Sequence, residues 1–271
     1  MLFDNDLVVL RGGGDLATGV AYRLHQAGFP LIMLELARPL VVRRRVALAT
    51  AVLEGAVDVE GLVGRRVASW PEALALSGSG QIPVLVAPGW PPDGWQPGQV
   101  RVLVDGRIAK RNIDTHIDQA PLVIALGPGF SAGDDCHAVI ETKRGHRLGR
   151  VIWQGPALPN TGRPGEIAGK ASERVLRAPA AGEVSWQVSI GDAVVEGQAL
   201  GQAGGQSLAA PFTGVVRGLI APGSRVPAGY KIGDLDARAD RQACFTISDK
   251  ALAVGGGVLE AILARKNAGL L

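Results

Sequence analysis

Apolar residues along this chain follow two regimes. In the first half they come as short unbroken runs: Leu7 to Leu10, Leu31 to Leu34, and the cores of IPVLVAP (82–88), VRVLVDGR (100–107) and PLVIALGPGF (121–130). Runs of that length suit strands buried on both faces. Between the first two runs Leu16, Val20 and Leu24 recur at helical spacing, and Gly28 follows as a C′ residue, giving strand, glycine turn, helix, strand. RRRVALATAVLEG (43–55) predicts a helix ending at Gly55, and WPEALAL (70–76) a shorter one. AVIET (138–142) and LGRVIW (148–153) predict the arms of a hairpin or a connector. Helices and buried strands mixed in this way predict an α/β domain, a Rossmann-like and mostly parallel sheet.

The second half alternates instead, and it repeats. Residues 179–201 align without gaps on 211–233: Pro179, Gly182, Val184, Gly191, Val194, Gly197 and Gly201 fall on Pro211, Gly214, Val216, Gly223, Val226, Gly229 and Gly233, each 32 residues on. A unit this small cannot bury its apolar face alone, so the two copies are expected to close on each other as a small all-β sandwich. The stretch FTISDKALAVGGGVLEAILARK (245–266) predicts a helix opening near Ser248-Asp249. Its three glycines each cost about 1 kcal/mol relative to alanine, which either a close backbone approach or a break into two helices would explain. The expected organisation is therefore residues 1–155 as the α/β domain, 156–175 as a turn-rich linker, 176–240 as the β module and 241–271 as a helical segment.

Candidate chemistry clusters around glycine. Gly12-x-Gly14-x-x-Ala17, with Gly13 between, is the alanine variant of the dinucleotide fingerprint, whose glycines let backbone approach a pyrophosphate at a helix N-terminus. Glu35 lies 21 residues after Gly14, where an acid can reach a ribose hydroxyl. Asp15 opposes that reading: at the helix start its carboxylate can cap the amides a phosphate would use, and it repels an anion. Arg43, Arg44 and Arg45 form either a solvated face or a clamp for a phosphate or a negatively charged pterin. A second turn, Gly127-Pro128-Gly129, ends the last of those runs, so both glycine turns are expected to face one crevice. Asp134, Asp135, Cys136 and His137 are consecutive and lack metal-ligand spacing, so an Asp-capped helix start is the preferred reading and no metal residues are assigned. No serine elbow, HExxH or P-loop occurs, and His146 lies in a turn with no visible catalytic partner.

Composition narrows the classes. Of 271 residues 47% are hydrophobic, which permits a sizeable core and excludes disorder. A net charge of +3 and 4% aromatics give no case for nucleic acid. Two cysteines, Cys136 and Cys244, argue against a disulfide framework and suit a reducing cytosol. The stretch MLFDNDLVVLRGG does not read as a signal peptide, and no apolar run approaches the about 20 residues of a membrane span, so a cytoplasmic protein is expected.

Two resemblances add to this. P-x-x-G-x-V followed by G-D-x-V-x-x-G-Q, over residues 177–235, resembles the barrel-sandwich hybrid of biotinyl and lipoyl carriers, but no lysine occurs between Lys170 and Lys231, so the attachment chemistry is missing. What then remains is a docking or dimerisation module, or a lid. GGGDLATGVAYRLHQAGF, LELARPLVVRRRVALATAVLEG, LGPGFSAGDDCHAVIETKRGHRLGRVIWQGPALPNTG, and KIGDLDAR with ISDKALAVGGGVLEAIL resemble the YqeB-type proteins of the selenium-dependent molybdenum hydroxylase system. The first domain is also similar in kind to that of the XdhC/CoxI xanthine dehydrogenase accessory family. These resemblances imply an accessory role in maturing a molybdenum hydroxylase. The implied ligand is the molybdenum cofactor or a nucleotide such as NAD(P), and the implied partner is the apoenzyme; homo-oligomerisation stays open. An NAD(P)-dependent oxidoreductase and a non-enzymatic docking scaffold with a degenerate nucleotide site are the alternatives.

Overall fold

The computed structural model divides into two compact units, one comprising Met1–Pro39, Leu48–Thr161 and Ile247–Leu271, the other Leu40–Ala47 and Gly162–Thr246. The structure describes residues 2–160, 162, 169–238 and 240–271. Of the C-terminal segment expected over 241–271, residues 247–271 thus belong to the first unit and 241–246 to the second.

The first unit is built on the apolar runs, which become β1 (Val8–Arg11), β2 (Leu31–Glu35), β3 (Ala56–Val59), β4 (Leu62–Val67), β5 (Ile82–Val86), β6 (Val102–Asp105), β7 (Leu122–Leu126), β8 (Ser131–Ala132), β9 (Ala138–Ile140), β10 (Val151–Ile152) and β11 (Gly155–Pro156). Nine of them form one sheet in the order β10-β9-β7-β6-β1-β2-β5-β4-β3, and β11 pairs with β8. The interior strands are parallel, while β3 and β10 run antiparallel at the two edges. The β3–β4 hairpin turns on Glu60 and Gly61, both with positive φ (53° and 82°), as a type I′ turn requires.

This sheet corrects the expected fold class. In place of a Rossmann-like domain followed by a barrel-sandwich hybrid, the chain has a large mixed sheet, small antiparallel sheets and one long C-terminal helix. The physical reason lies in the connections. Only β1 to β2 is bridged by a full helix, α1 (Asp15–Gln26), closed by Gly28 at φ 90°; α2 (Ala51–Glu54) and α3 (Trp70–Leu76) are short. Between β5 and β6 the chain carries Pro88, Pro91, Pro92 and Pro97, which lack N–H donors and push preceding residues out of the helical region. The helix expected over 43–55 is two single 3-10 turns and α2, because Ala47 is extended and the Leu48 N–H donates to Thr18 Oγ1 at 2.9 Å.

The missing helical cover comes from α4 (Asp249–Asn267), capped by Ser248, whose Oγ accepts from the Ala251 N–H at 3.2 Å. It packs on α1 and on β7, β9 and β10. Its glycines explain themselves here: a Cβ on Gly255 would lie 2.5 Å from the Gly19 carbonyl oxygen, and one on Gly257 would overlap that of Gly149, whereas Gly256 has open space.

The second unit contains β12 (Val175–Arg177), β13 (Gly182–Trp186), β14 (Ala193–Val194), β15 (Ala199–Ala203), β16 (Gln206–Ala209), β17 (Gly214–Leu219), β18 (Arg225–Val226) and β19 (Lys231–Asp236). Two four-stranded sheets run β12-β19-β17-β14 and β16-β15-β13-β18. The duplication is visible in the pairing: Gly182 lies opposite Val226 and Gly214 opposite Val194, so each copy's first strand pairs with the other copy's middle strand. Val184, Val194 and Leu200 meet Val216, Val226 and Ile232 in the core.

Candidate functional site: a paired-arginine centre at the strand ends

Arg11 and Asp105 are the last residues of β1 and β6 and lie side by side in the sheet register. Each follows an unbroken apolar run, and each is almost fully buried, at 2% and 1% exposure. Buried charges must be paired and hydrogen-bonded, and these are. Asp105 Oδ2 accepts from Arg107 Nη2 at 2.6 Å and from Thr115 Oγ1 at 2.6 Å, while its Oδ1 accepts from the Arg107 backbone and Nε, both at 3.1 Å. Arg11 Nη2 donates to both oxygens of Asp114, at 2.8 and 2.7 Å, and Arg107 Nη2 reaches Asp114 Oδ1 at 2.7 Å. Two guanidiniums thus converge on one carboxylate, which is 40% exposed. Burial pushes the Asp114 carboxyl up, but hydrogen bonds and charge from Arg11 and Arg107 outweigh it and hold the group below its ordinary range. Burial likewise disfavours the Arg107 cation, and its bonds to Asp105 and Asp114 more than compensate.

The loop after β6 fills the place where an open crevice was expected. A Cβ on Gly12 would lie 3.0 Å from Arg107 Cα, and one on Gly129 would overlap the Lys110–Arg111 peptide. Both glycine turns therefore border one feature, and that feature is polypeptide. Ile108 and Lys110 hold it with positive φ, 54° and 64°, which non-glycine residues adopt only when their surroundings impose it.

The glycine turn itself is closed. The Gly13 N–H donates to Glu35 Oε1 at 2.7 Å and the Leu36 N–H to Oε2 at 2.7 Å, so Glu35 caps the turn with both oxygens. Burial raises the Glu35 carboxyl, and those two bonds pull back without cancelling it. A Cβ on Gly13 would overlap Met33 Sδ and lie 2.9 Å from the Ala49 nitrogen, so the turn is packed closely against β2 and the 3-10 turn at Leu48–Thr50. Gly14 is the N-cap of α1 and Asp15 its first residue. The Asp15 charge acts on Lys250, whose ammonium is pushed down by burial and partly restored by that carboxylate. Gly127 has φ 76° and abuts Thr142.

Arg43, Arg44 and Arg45 belong to the second unit and are engaged there. Arg43 Nη2 donates to the Ala243 carbonyl at 3.0 Å, Arg44 Nε to that of Leu219 at 2.8 Å, and Arg45 lies over the Phe245 ring. The Asp134–His137 run caps a turn, not a helix start. Asp134 Oδ2 accepts from Ser131 Oγ, Asp135 from the Ser131 N–H and from Asn112 Nδ2, and His137 Nδ1 from the Val123 N–H. Cys136 is fully buried, its Sγ 3.3 Å from the Ala138 carbonyl, and burial with the Asp135 charge pushes its thiol up to about 12. Among the described residues no group of three or more His, Cys, Asp or Glu side chains is placed to hold a metal ion, and no helix is long and apolar enough to cross a membrane.

The paired-arginine centre was not assigned from sequence, because Arg11 lies 103 positions before Asp114. One signal was available: a charged residue closing an apolar run, in VVLR and again in VLVD.

No protein-family model matches the chain. Solved structures similar to it are a succinylglutamate desuccinylase/aspartoacylase from Rhodobacter sphaeroides (14% identity, TM-score 0.26) and a succinylglutamate desuccinylase from Silicibacter sp. TM1040 (12%, 0.24), each alignment covering 86% of this chain and 85% of the other. Likenesses this weak carry no argument about fold or chemistry here. The chain is 49% identical over 267 residues to the uncharacterized protein YqeB of Escherichia coli K12, covering 98% of its own length and about half, 49%, of that relative's.

Proposed function

We propose that this chain binds an anionic ligand at Arg11 and Arg107, and that it does so as an accessory protein in maturing a molybdenum hydroxylase. The observation that supports the binding role is the convergence of two guanidiniums on a single carboxylate at the ends of the central strands. Such forked donors match the oxygens of phosphate or carboxylate groups. The accessory role rests on the resemblance to the YqeB-type proteins of the selenium-dependent molybdenum hydroxylase system. The ligand in this reading is a nucleotide or the molybdenum cofactor, held through an anionic group. Arg11 and Arg107 bind its oxygens, and Asp105 and Thr115 hold the guanidiniums in place. The cofactor's own redox chemistry would serve the hydroxylase that receives it.

The test is anaerobic purification followed by assay of retained pterin fluorescence and nucleotide absorbance, with NAD, NADP, CTP and AMP compared by thermal shift. Retention in the wild type and a loss of about tenfold or more in affinity on Arg107→Ala are expected. No retained compound and no shift with any of them would sink the reading. A docking scaffold is the second reading, favoured by the Glu35 carboxylate that closes the glycine turn. It predicts capture of the hydroxylase apoenzyme with no small molecule present.

A further inference from the structure

We infer that the Asp114 side chain is a built-in competitor for the arginine centre, standing where the charged group of a ligand binds, and that the centre takes a singly charged group with two free oxygens. The inference rests on the anion-binding reading above and adds to it both a ligand class and a means of control.

Asp114 lies between buried guanidinium and solvent. Arg11 is 2% exposed and Asp114 40%, so departure of that carboxylate opens the Nη2 atoms of Arg11 and Arg107 to water. The backbone around it is pinned, so departure is a side-chain rotation. Gln119 Nε2 donates to the Asp114 carbonyl at 2.8 Å, the Thr115 N–H donates to Asn112 Oδ1 at 2.8 Å, and Asn112 Nδ2 donates to the Thr115 carbonyl at 2.8 Å. The guanidinium of Arg107 stays in place when Asp114 leaves, because Asp105 holds its Nε and Nη2 independently. The site left behind is preorganised.

Charge sets the ligand class. Arg11 and Arg107 face Asp105 and Asp114, two positive charges against two negative. Removing Asp114 leaves one uncompensated positive charge. A carboxylate or a phosphate in a diester or anhydride linkage restores neutrality and reproduces the two-oxygen contact. A phosphate monoester dianion overshoots, with Asp135 also close by on Asn112.

The experiment compares the wild-type chain with Asp114→Asn and Asp114→Ala by calorimetric titration with acetate, dimethyl phosphate and inorganic phosphate. The variants are expected to bind acetate or dimethyl phosphate about tenfold or more tightly than the wild type, with a smaller gain for inorganic phosphate. The tighter of the first two identifies the source as carboxylate or phosphodiester. Equal affinity in wild type and variants overturns the competitor and leaves the anion site standing. No binding by any form, with circular dichroism native, overturns the site and the competitor with it. A readout that needs no variant is carbon-13 titration of the Asp114 carboxyl in the wild type. Saturating dimethyl phosphate should return it toward the ordinary value of 3.8, and an unchanged titration with ligand bound overturns displacement.

Discussion

Replacing each glycine of the run 255–257 by alanine in turn separates two effects that the sequence leaves superimposed. All three residues lie inside α4, so each substitution gains about 1 kcal/mol of helix propensity. At Gly256 nothing lies within 4 Å of the new methyl, and that gain is the whole effect. At Gly255 the methyl would lie 2.5 Å from the Gly19 carbonyl oxygen, and the partner is helical backbone that cannot rotate away. At Gly257 it would overlap the Gly149 carbonyl oxygen and approach Ile140 Cγ2 to 2.9 Å. Overpacking of this kind costs about 1–3 kcal/mol even where side chains can shift, and backbone contact on two elements places both variants at or beyond the upper end. The net expectation is stabilisation by about 1 kcal/mol for Gly256→Ala and destabilisation by about 2 kcal/mol or more for the other two. Urea unfolding reads these differences, and thermal melting should show Gly256→Ala raised by about 2–4 °C. Gly255→Ala as stable as the wild type would refute the packing of α4 on α1. Equal losses at all three positions would refute the assignment of Gly256 to open space.

Three further outcomes follow from the site. Glu35→Gln leaves one of the Gly13 and Leu36 N–H groups facing an amide NH2, a cost of about 1–3 kcal/mol. Because the Glu35 carboxyl is raised above 4.5, its contribution is full below that pH and declines as pH rises through the folded value. The Gln variant should therefore lose more stability relative to wild type near pH 4 than near pH 7, and a loss that grows with pH in urea titrations would contradict this. The Asp114 carboxyl is held below 3.8, so its clamp on Arg11 and Arg107 persists above that value and is lost as pH falls through the lowered one. Hydrogen exchange over 107–116 should be unchanged between pH 7 and 5, once corrected for intrinsic rates, and rise only in stronger acid; a rise near neutrality would count against the clamp. Cys136, fully buried with its thiol at about 12, should resist an aromatic disulfide reagent until the protein unfolds, and rapid native labelling would show the thiol to be accessible.

Sequence reasoning succeeded where a local rule governs. The apolar runs became β1, β2, β5, β6 and β7, WPEALAL became α3, and Ser248 caps α4 where the periodicity begins. The offset of 32 reappears as matched strand pairs because turn glycines and core valines recur in register. It failed where distant residues decide. Thr18 takes the Leu48 N–H and so helps to end the helix that 43–55 would otherwise form. Glu35, placed at ribose-binding distance by spacing, turns back onto Gly13, whose buried N–H needs an acceptor. The Arg11–Arg107–Asp114 centre has no signature of spacing, since sheet register, not separation along the chain, brings β1 beside β6.

The placement of α4 also bears on how the polypeptide can mature as it leaves the ribosome. Residues 162–246 can emerge and begin to close their paired strands while the nine-stranded sheet still lacks the cover that residues 249–267 provide. Until residues 249–267 are released, the flank of α1 and of β9 and β10 that they cover is an unshielded apolar surface that chaperones would engage. Chains truncated before Ser248 should accordingly accumulate as holdase clients with a finished β module and an unfinished sheet.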